Sequence, residues 1–163
     1  MNRIFAAAFA FALALTQGRF AAASTPLGPD FAPKGEVRIA TRTASDPINT
    51  TASFASGFVA VPGMTIPVTV PNGKVADVTI LFTGEMNSPD AEYVSAVIDG
   101  GALSPGAVQA FWKNNGGATS QAATFTGIVP AGNHFIQMQW GGLGGQQFMS
   151  LRTMTVLLNL RRQ

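Results

Sequence analysis

The sequence predicts an all-β fold: an antiparallel β-sandwich of jelly-roll type with about eight or nine strands. Three observations carry that expectation. Past residue 35, apolar side chains recur at every second position. Val, Ile, Thr and Phe dominate these positions, and they suit a pleated, half-buried surface. Clusters of Gly, Pro, Asn and Asp interrupt the runs about every ten residues, the spacing of a sandwich or barrel, and no stretch shows a helical period.

The elements follow in order. Residues 36–43 alternate, with Val37, Ile39 and Thr41 on one face and Glu36, Arg38 and Arg42 on the other. Residues 51–61 read as a second extended stretch through Phe54, Phe58 and Val61, broken at Gly57, and Pro62-Gly63 reads as a turn. Residues 64–70 align Met64, Ile66, Val68 and Val70; Pro67, on the reverse face, lacks an N–H and places this strand at a sheet edge. Pro71-Asn72-Gly73-Lys74 has turn chemistry. Residues 75–86 are the central strand, with Val78, Ile80 and Phe82 facing one way and Leu81 keeping the reverse partly apolar.

Residues 85–92 read as a polar loop, and residues 93–98 as a strand with Val94, Ala96 and Ile98 inward, ending at Asp99-Gly100-Gly101. Val108, Ala110 and Trp112 share a face of the next strand, which residues 113–117 stop. Residues 121–129 carry Ala123, Phe125 and Val129 on one side. After a turn at residues 130–133, residues 134–140 alternate Ile136, Met138 and Trp140 with Gln137 and Gln139. A glycine-rich loop at residues 141–147 leads to residues 151–160, with Met154, Val156, Leu158 and Leu160 inward.

Ahead of this domain (residues 36–163), residues 1–23 have the order of a secretory signal peptide: Met1-Asn2-Arg3, an apolar run over 4–15, then Ala21-Ala22-Ala23. The apolar run is shorter than the roughly 18 residues that span a bilayer, and no second such run follows, so no transmembrane segment is expected. Residues 24–35 hold three prolines and two glycines and read as an extended N-terminal arm. The expected location is secreted, periplasmic or at the cell surface.

Removing the leader takes Arg3 and Arg19 from the ten basic residues, leaving eight against eight acidic ones. Nucleic-acid binding needs a clustered cationic surplus, and none remains. The absence of cysteine excludes disulfides, thiol nucleophiles and Cys-ligated metals. Charged residues make up only 11% of the chain, which points to weakly charged strand faces and a homo-oligomer.

Candidate sites are few. His134 is the single histidine and reads as a strand-start residue bonded to a neighbouring loop, with no nucleophile context around it. Glu85, Asn87, Asp90 and Glu92 offer hard oxygen ligands at near-alternate positions, a candidate Ca²⁺ set without the EF-hand spacing. A glycan-active hydrolase would have to draw its acid pair from that stretch plus Asp77 or Asp99, but Asp99-Gly100 reads as a tight turn. Trp112 and Trp140 share faces with apolar neighbours and read as core; Tyr93, beside the acidic stretch, is the better candidate for a sugar-stacking contact. Asn114, Asn115, Gln146 and Gln147 sit in polar, glycine-rich loops suited to adaptable hydrogen bonding.

Several segments in order also carry a resemblance: Val61-Pro62-Gly63-Met64-Thr65, Val97-Ile98-Asp99-Gly100, Pro130-Ala131-Gly132-Asn133-His134 with Trp140 six residues on, and Arg152-Thr153-Met154-Thr155-Val156. This arrangement resembles secreted or virion-associated bacterial jelly-roll proteins of uncharacterised function, similar in style to C1q- and TNF-like domains. The resemblance implies a sandwich, often trimeric, and no catalytic residue. The expected function is an exported, non-enzymatic structural or binding module that self-associates and presents polar loops to a glycan or surface protein. The alternatives are a Ca²⁺-dependent carbohydrate-binding protein and a glycan-active hydrolase.

Overall fold

The computed structural model describes residues 36–111 and 117–163. The leader and arm expected over residues 1–35 lie outside the described residues, as do Trp112, Asn114 and Asn115.

Among the described residues, ten strands form two five-stranded antiparallel sheets. The first holds β1 (Glu36–Ala44), β2 (Ile48–Thr50), β4 (Lys74–Asn87), β8 (Thr119–Val129) and β10 (Gln147–Arg162). The second holds β3 (Val59–Val70), β5 (Glu92–Ile98), β6 (Gly101–Ala102), β7 (Val108–Phe111) and β9 (Gly132–Gly142). β1 and β2 line one edge of β10, and β6 and β7 line one edge of β5, so each pair is a single edge strand in two pieces. Joining each pair turns ten strands into eight positions. The chain crosses between sheets at nearly every connection and lays its first strand beside its last, which is the jelly-roll order.

Alternation explains the core. Val78, Ile80 and Phe82 of β4 meet Ile136, Met138 and Trp140 of β9 across the sandwich, with Met154, Val156, Leu158 and Leu160 of β10 beside them, all buried. Among the described residues β3 pairs only with β9, an edge position that suits Pro67. The 71–74 turn closes through Lys74 N–H to Pro71 C=O at 3.1 Å, with Gly73 at φ 74°.

Four segments depart from expectation. Pro62-Gly63 does not end a strand: β3 runs through it as a bulge between Ala60 and Thr65, with Gly63 at φ 77° supplying the kink. Residues 51–58 are no strand, because Gly57 at φ 86° and hydroxyl-to-backbone bonds between Ser53 and Ser56 fold the chain back on itself. The 85–92 loop shrinks to residues 88–91, since β4 runs on to Asn87 and β5 begins at Glu92. The 141–147 loop shrinks to residues 143–146 for the same reason.

β1 holds its alternation but turns it over. Register with β10 sets Val37 and Ile39 beside Asn159 and Leu157 on the outer face, and Arg38 and Ala40 beside Leu158 and Val156 on the inner side. The outer face of the first sheet is consequently threonine-rich. Thr41 and Thr43 bond Thr155 and Thr153 through their hydroxyls at 3.1 Å, and Thr124 and Thr126 continue the rows on β8.

Candidate functional site

One end of the sandwich gathers the 51–58, 88–91 and 143–146 connections. The 51–58 segment is tied down by Gly142 N–H to Ala52 C=O at 2.9 Å and Phe54 N–H to Gly142 C=O at 3.3 Å. Ser53 bridges Gly142 alongside the end of β9, and Phe58 is seated against Gly141, where a Cβ would meet the ring at 2.8 Å. Phe54 packs on Phe58 at 5.0 Å between centroids and edge-on to Tyr93 at 4.7 Å. Tyr93 points outward from β5, half-buried, and donates its hydroxyl to Gln109 Oε1 at 3.3 Å. Phe54 is 52% exposed, and Leu143 beside Gly142 is exposed too. The result is an aromatic surface edged by amide side chains. Geometry of this kind offers apolar faces for stacking and neutral donors and acceptors for orientation.

Tyr93 faces outward beside Phe54 and Phe58, two residues that the sequence reading placed in a strand. The signal that identifies them is the Ser53–Ser56–Gly57 turn chemistry, which forbids a continuous strand. Gln146 is exposed in the 143–146 loop. Gln147 is buried and faces inward, its Nε2 donating to Gly144 C=O at 2.8 Å and Gly145 C=O at 2.9 Å, so it clamps its own hairpin. Asn114 and Asn115 lie outside the described residues.

The four oxygen-bearing residues do not converge: Glu85 and Asn87 share one face, while Asp90 and Glu92 lie elsewhere. Glu85 accepts from Ser150 Oγ at 2.7 Å on the outer face of the first sheet, where it and exposed Asn87 line a depression of about 300 Å³ with Phe148. Asp90 accepts from the backbone N–H of Ala91 at 2.8 Å within its own turn. Glu92 shares the inward face of β5 with Val94 and Ala96 and is fully buried; neither carboxyl oxygen has a partner. Removal from water pushes its carboxyl up to about 8, so Glu92 is a neutral acid at pH 7. Among the described residues, no group of three or more His, Asp or Glu stands close enough to hold a metal ion.

Asp77 and Asp99, the other candidates for an acid pair, sit at the far end. Asp77 lies eight residues before Glu85 on β4, about 26 Å away at the strand rise, whereas glycosidase carboxyl pairs are separated by roughly 5–9.5 Å. Asp77 is paired with Arg161 at 3.0 Å. Asp99 (φ 49°) and Gly100 (φ 86°) make the positive-φ hairpin turn that Asp-Gly favours. The backbone N–H of Phe135, then the His134 ring, hold the Asp99 carboxyl below its ordinary range. His134 meets Asp99 Oδ2 at 2.7 Å and Pro130 C=O at 3.0 Å, which fits a structural role at a turn.

Sequence reasoning gave no role to Arg152. It is 1% exposed and faces inward, its Nε donating to Pro62 C=O at 3.1 Å and its Nη atoms to Asp46 C=O at 2.6 Å and Asp46 Oδ1 at 3.1 Å. It ties β10 to the β3 bulge and to the bend between β1 and β2.

No family model and no curated protein matches the chain. Among solved structures it is similar to the infectious bursal disease virus VP2 subviral particle (TM-score 0.40, 15% identity), covering 78% of this chain and 37% of that one. It is also similar to a family 35 carbohydrate binding module from Clostridium thermocellum (TM-score 0.38, 12% identity), covering 73% of this chain and 97% of that one. A third is an exo-beta-1,3-galactanase from Phanerochaete chrysosporium (TM-score 0.32, 13% identity), covering 76% and 29%. The chain thus spans about a third of the VP2 protein's length. At these identities the likeness concerns the fold alone.

Proposed function

We propose that this protein is an exported, non-enzymatic binding module that takes an uncharged carbohydrate on the surface built by Phe54, Phe58 and Tyr93. The observation that carries this reading is the half-exposed Phe54 ring, held by two other aromatics and flanked by Gln109, with no free charge among the residues that build it. Aromatic faces stack on the apolar faces of sugars, and neutral amides satisfy the hydroxyls without the desolvation cost of an ion. The acids are separated along the sandwich or held in structural contacts, which favours binding over hydrolysis. Export is supported by the leader pattern of residues 1–23.

Affinity electrophoresis and calorimetry against a panel of neutral polysaccharides test the reading. Binding should appear for at least one glycan, persist in chelator, and weaken about tenfold or more in Phe54→Ala and Tyr93→Ala, equal to about 1.4 kcal/mol. Binding untouched by both substitutions, or none to any neutral glycan, would overturn it.

A further inference from the structure

We propose that the outer face of the first sheet is the interface of a symmetric dimer, covered by the same face of a second copy of this chain. This surface lies on the opposite side of the sandwich from the aromatic site, and the inference is independent of the carbohydrate reading.

The composition of the face is the starting point. Its three central rows run across β1, β10, β4 and β8, through Ile39–Leu157–Thr79–Thr126, then Thr41–Thr155–Leu81–Thr124, then Thr43–Thr153–Thr83–Ala122. None of these twelve positions carries a charge. The nearest acids stand at opposite ends of the face and are already engaged: Asp77 with Arg161, and Glu85 with Ser150. Within these three rows a partner recognised by charge complementarity has nothing to read. A surface of the same composition does, because threonine methyls and aliphatic side chains pack against each other while threonine hydroxyls bond neighbouring threonines, as they already do between β1 and β10.

Size and relief agree with that occupant. Four strands about 4.8 Å apart and nine residues long give a plane of roughly 600 Å² before side-chain relief is added. That approaches the ≈800 Å² per partner of a standard interface. Ile128 projects from one edge, 65% exposed, and a hollow of about 310 Å³ opens over β10, lined by Val37, Thr79, Leu157, Asn159 and Asp77, whose carboxylate is paired with Arg161. Ile128 stands on β8 and the hollow on β10, so a two-fold axis running along β4 between them brings each Ile128 over the other copy's hollow. Face-to-face sheets meet in this manner at about 10 Å.

The axis places Leu81, 45% exposed at the centre of β4, beside its own symmetry mate. Sedimentation velocity on the purified protein should give a dimer from micromolar concentrations upward. Leu81→Lys should weaken it about a hundredfold or more, since two charges would be buried unpaired, with a melting temperature showing that the monomer still folds. Phe135→Lys, on the exposed face of the second sheet, should leave the dimer intact. Because the chain has no cysteine, Leu81→Cys should form a single disulfide-linked dimer on oxidation. A monomer at every concentration would overturn the proposal. So would an oligomer that survives Leu81→Lys, or one that Phe135→Lys dissociates.

Discussion

The buried Glu92 makes stability fall as pH rises, in the range where carboxylates are usually already ionised and no longer matter. Its carboxyl titrates near 8 in the fold against an ordinary 4.5, because burial leaves both oxygens without partners. Between those values the folded chain keeps a proton that the unfolded chain has released. The contribution is complete below pH 4.5, fades at about 1.4 kcal/mol per pH unit, and is gone once pH passes through 8. A shift of about 3.5 units sets an upper limit of roughly 5 kcal/mol, of which about 3 kcal/mol is lost between pH 5 and 7.5. For a domain of this size, that lowers the melting temperature by about 10 °C. Glu92→Gln keeps the shape and removes the proton. Thermal melts of both proteins at pH 5, 6, 7 and 7.5, followed by circular dichroism, isolate the effect, because every other titrating group cancels in the difference. The native curve should fall relative to the variant's. Parallel curves would refute the assignment of a neutral, unpartnered acid.

Three further substitutions probe the framework. Arg152→Met strands the Pro62 and Asp46 carbonyls and should cost about 3 kcal/mol, read by urea unfolding; a loss below about 1 kcal/mol would mean that solvent takes over its contacts. Gly142→Ala drives a methyl into the Gln147 amide and to 3.0 Å from the Ala91 carbonyl, so it should lower stability by about 1–3 kcal/mol, whereas Gly144→Ala, with open space around it, should cost far less. Asp99 is depressed by its bonds from Phe135 and His134, so its stabilisation is present above the ordinary value of 3.8 and lost as pH falls through its lower folded value. Melting temperatures of the native protein and Asp99→Asn should therefore converge as pH drops from 5 to 2; a constant gap would show that the turn contacts do not depend on the charge.

Most strands were legible because alternation and breakers act locally. β4 carries unbroken alternation, as do β9 up to Trp140 and β10 past its bulge at Ser150/Arg152, and the apolar inward residues of these stretches are the ones the spacing indicates. Pro67 announced an edge, and Asp99-Gly100 a hairpin. The losses occurred where a long-range contact decides. Pro62-Gly63 carries turn chemistry, yet pairing with β9 on either side absorbs it as a bulge. Glu92 looks like one more acid in a polar stretch, and only the register of β5 reveals that it shares a face with Val94. The site was half legible for the same reason. Tyr93 stands out by type, whereas Phe54 and Phe58 become its companions only when the 51–58 segment folds over Gly141.

β1 shows where alternation stops being informative. Its two faces are plain in the sequence, but their direction is set by β10, which turns the charged side inward. In a closed core that arrangement would be costly. It is tolerated here because β1 is an edge strand whose inner side stays exposed. There Arg38 reaches across to Thr69 C=O at 3.3 Å, and Glu36 bridges Arg38 and Lys74. Among the described residues the outer edge of β1 carries no partner, and inward-pointing charges deter another strand from adding there, a known protection for such edges. Edge-to-edge growth is thereby disfavoured while the uncharged outer face, with Ile39 66% exposed, is left available. The inverted β1 thus protects its edge with charge while leaving uncharged the face on which the proposed dimer rests.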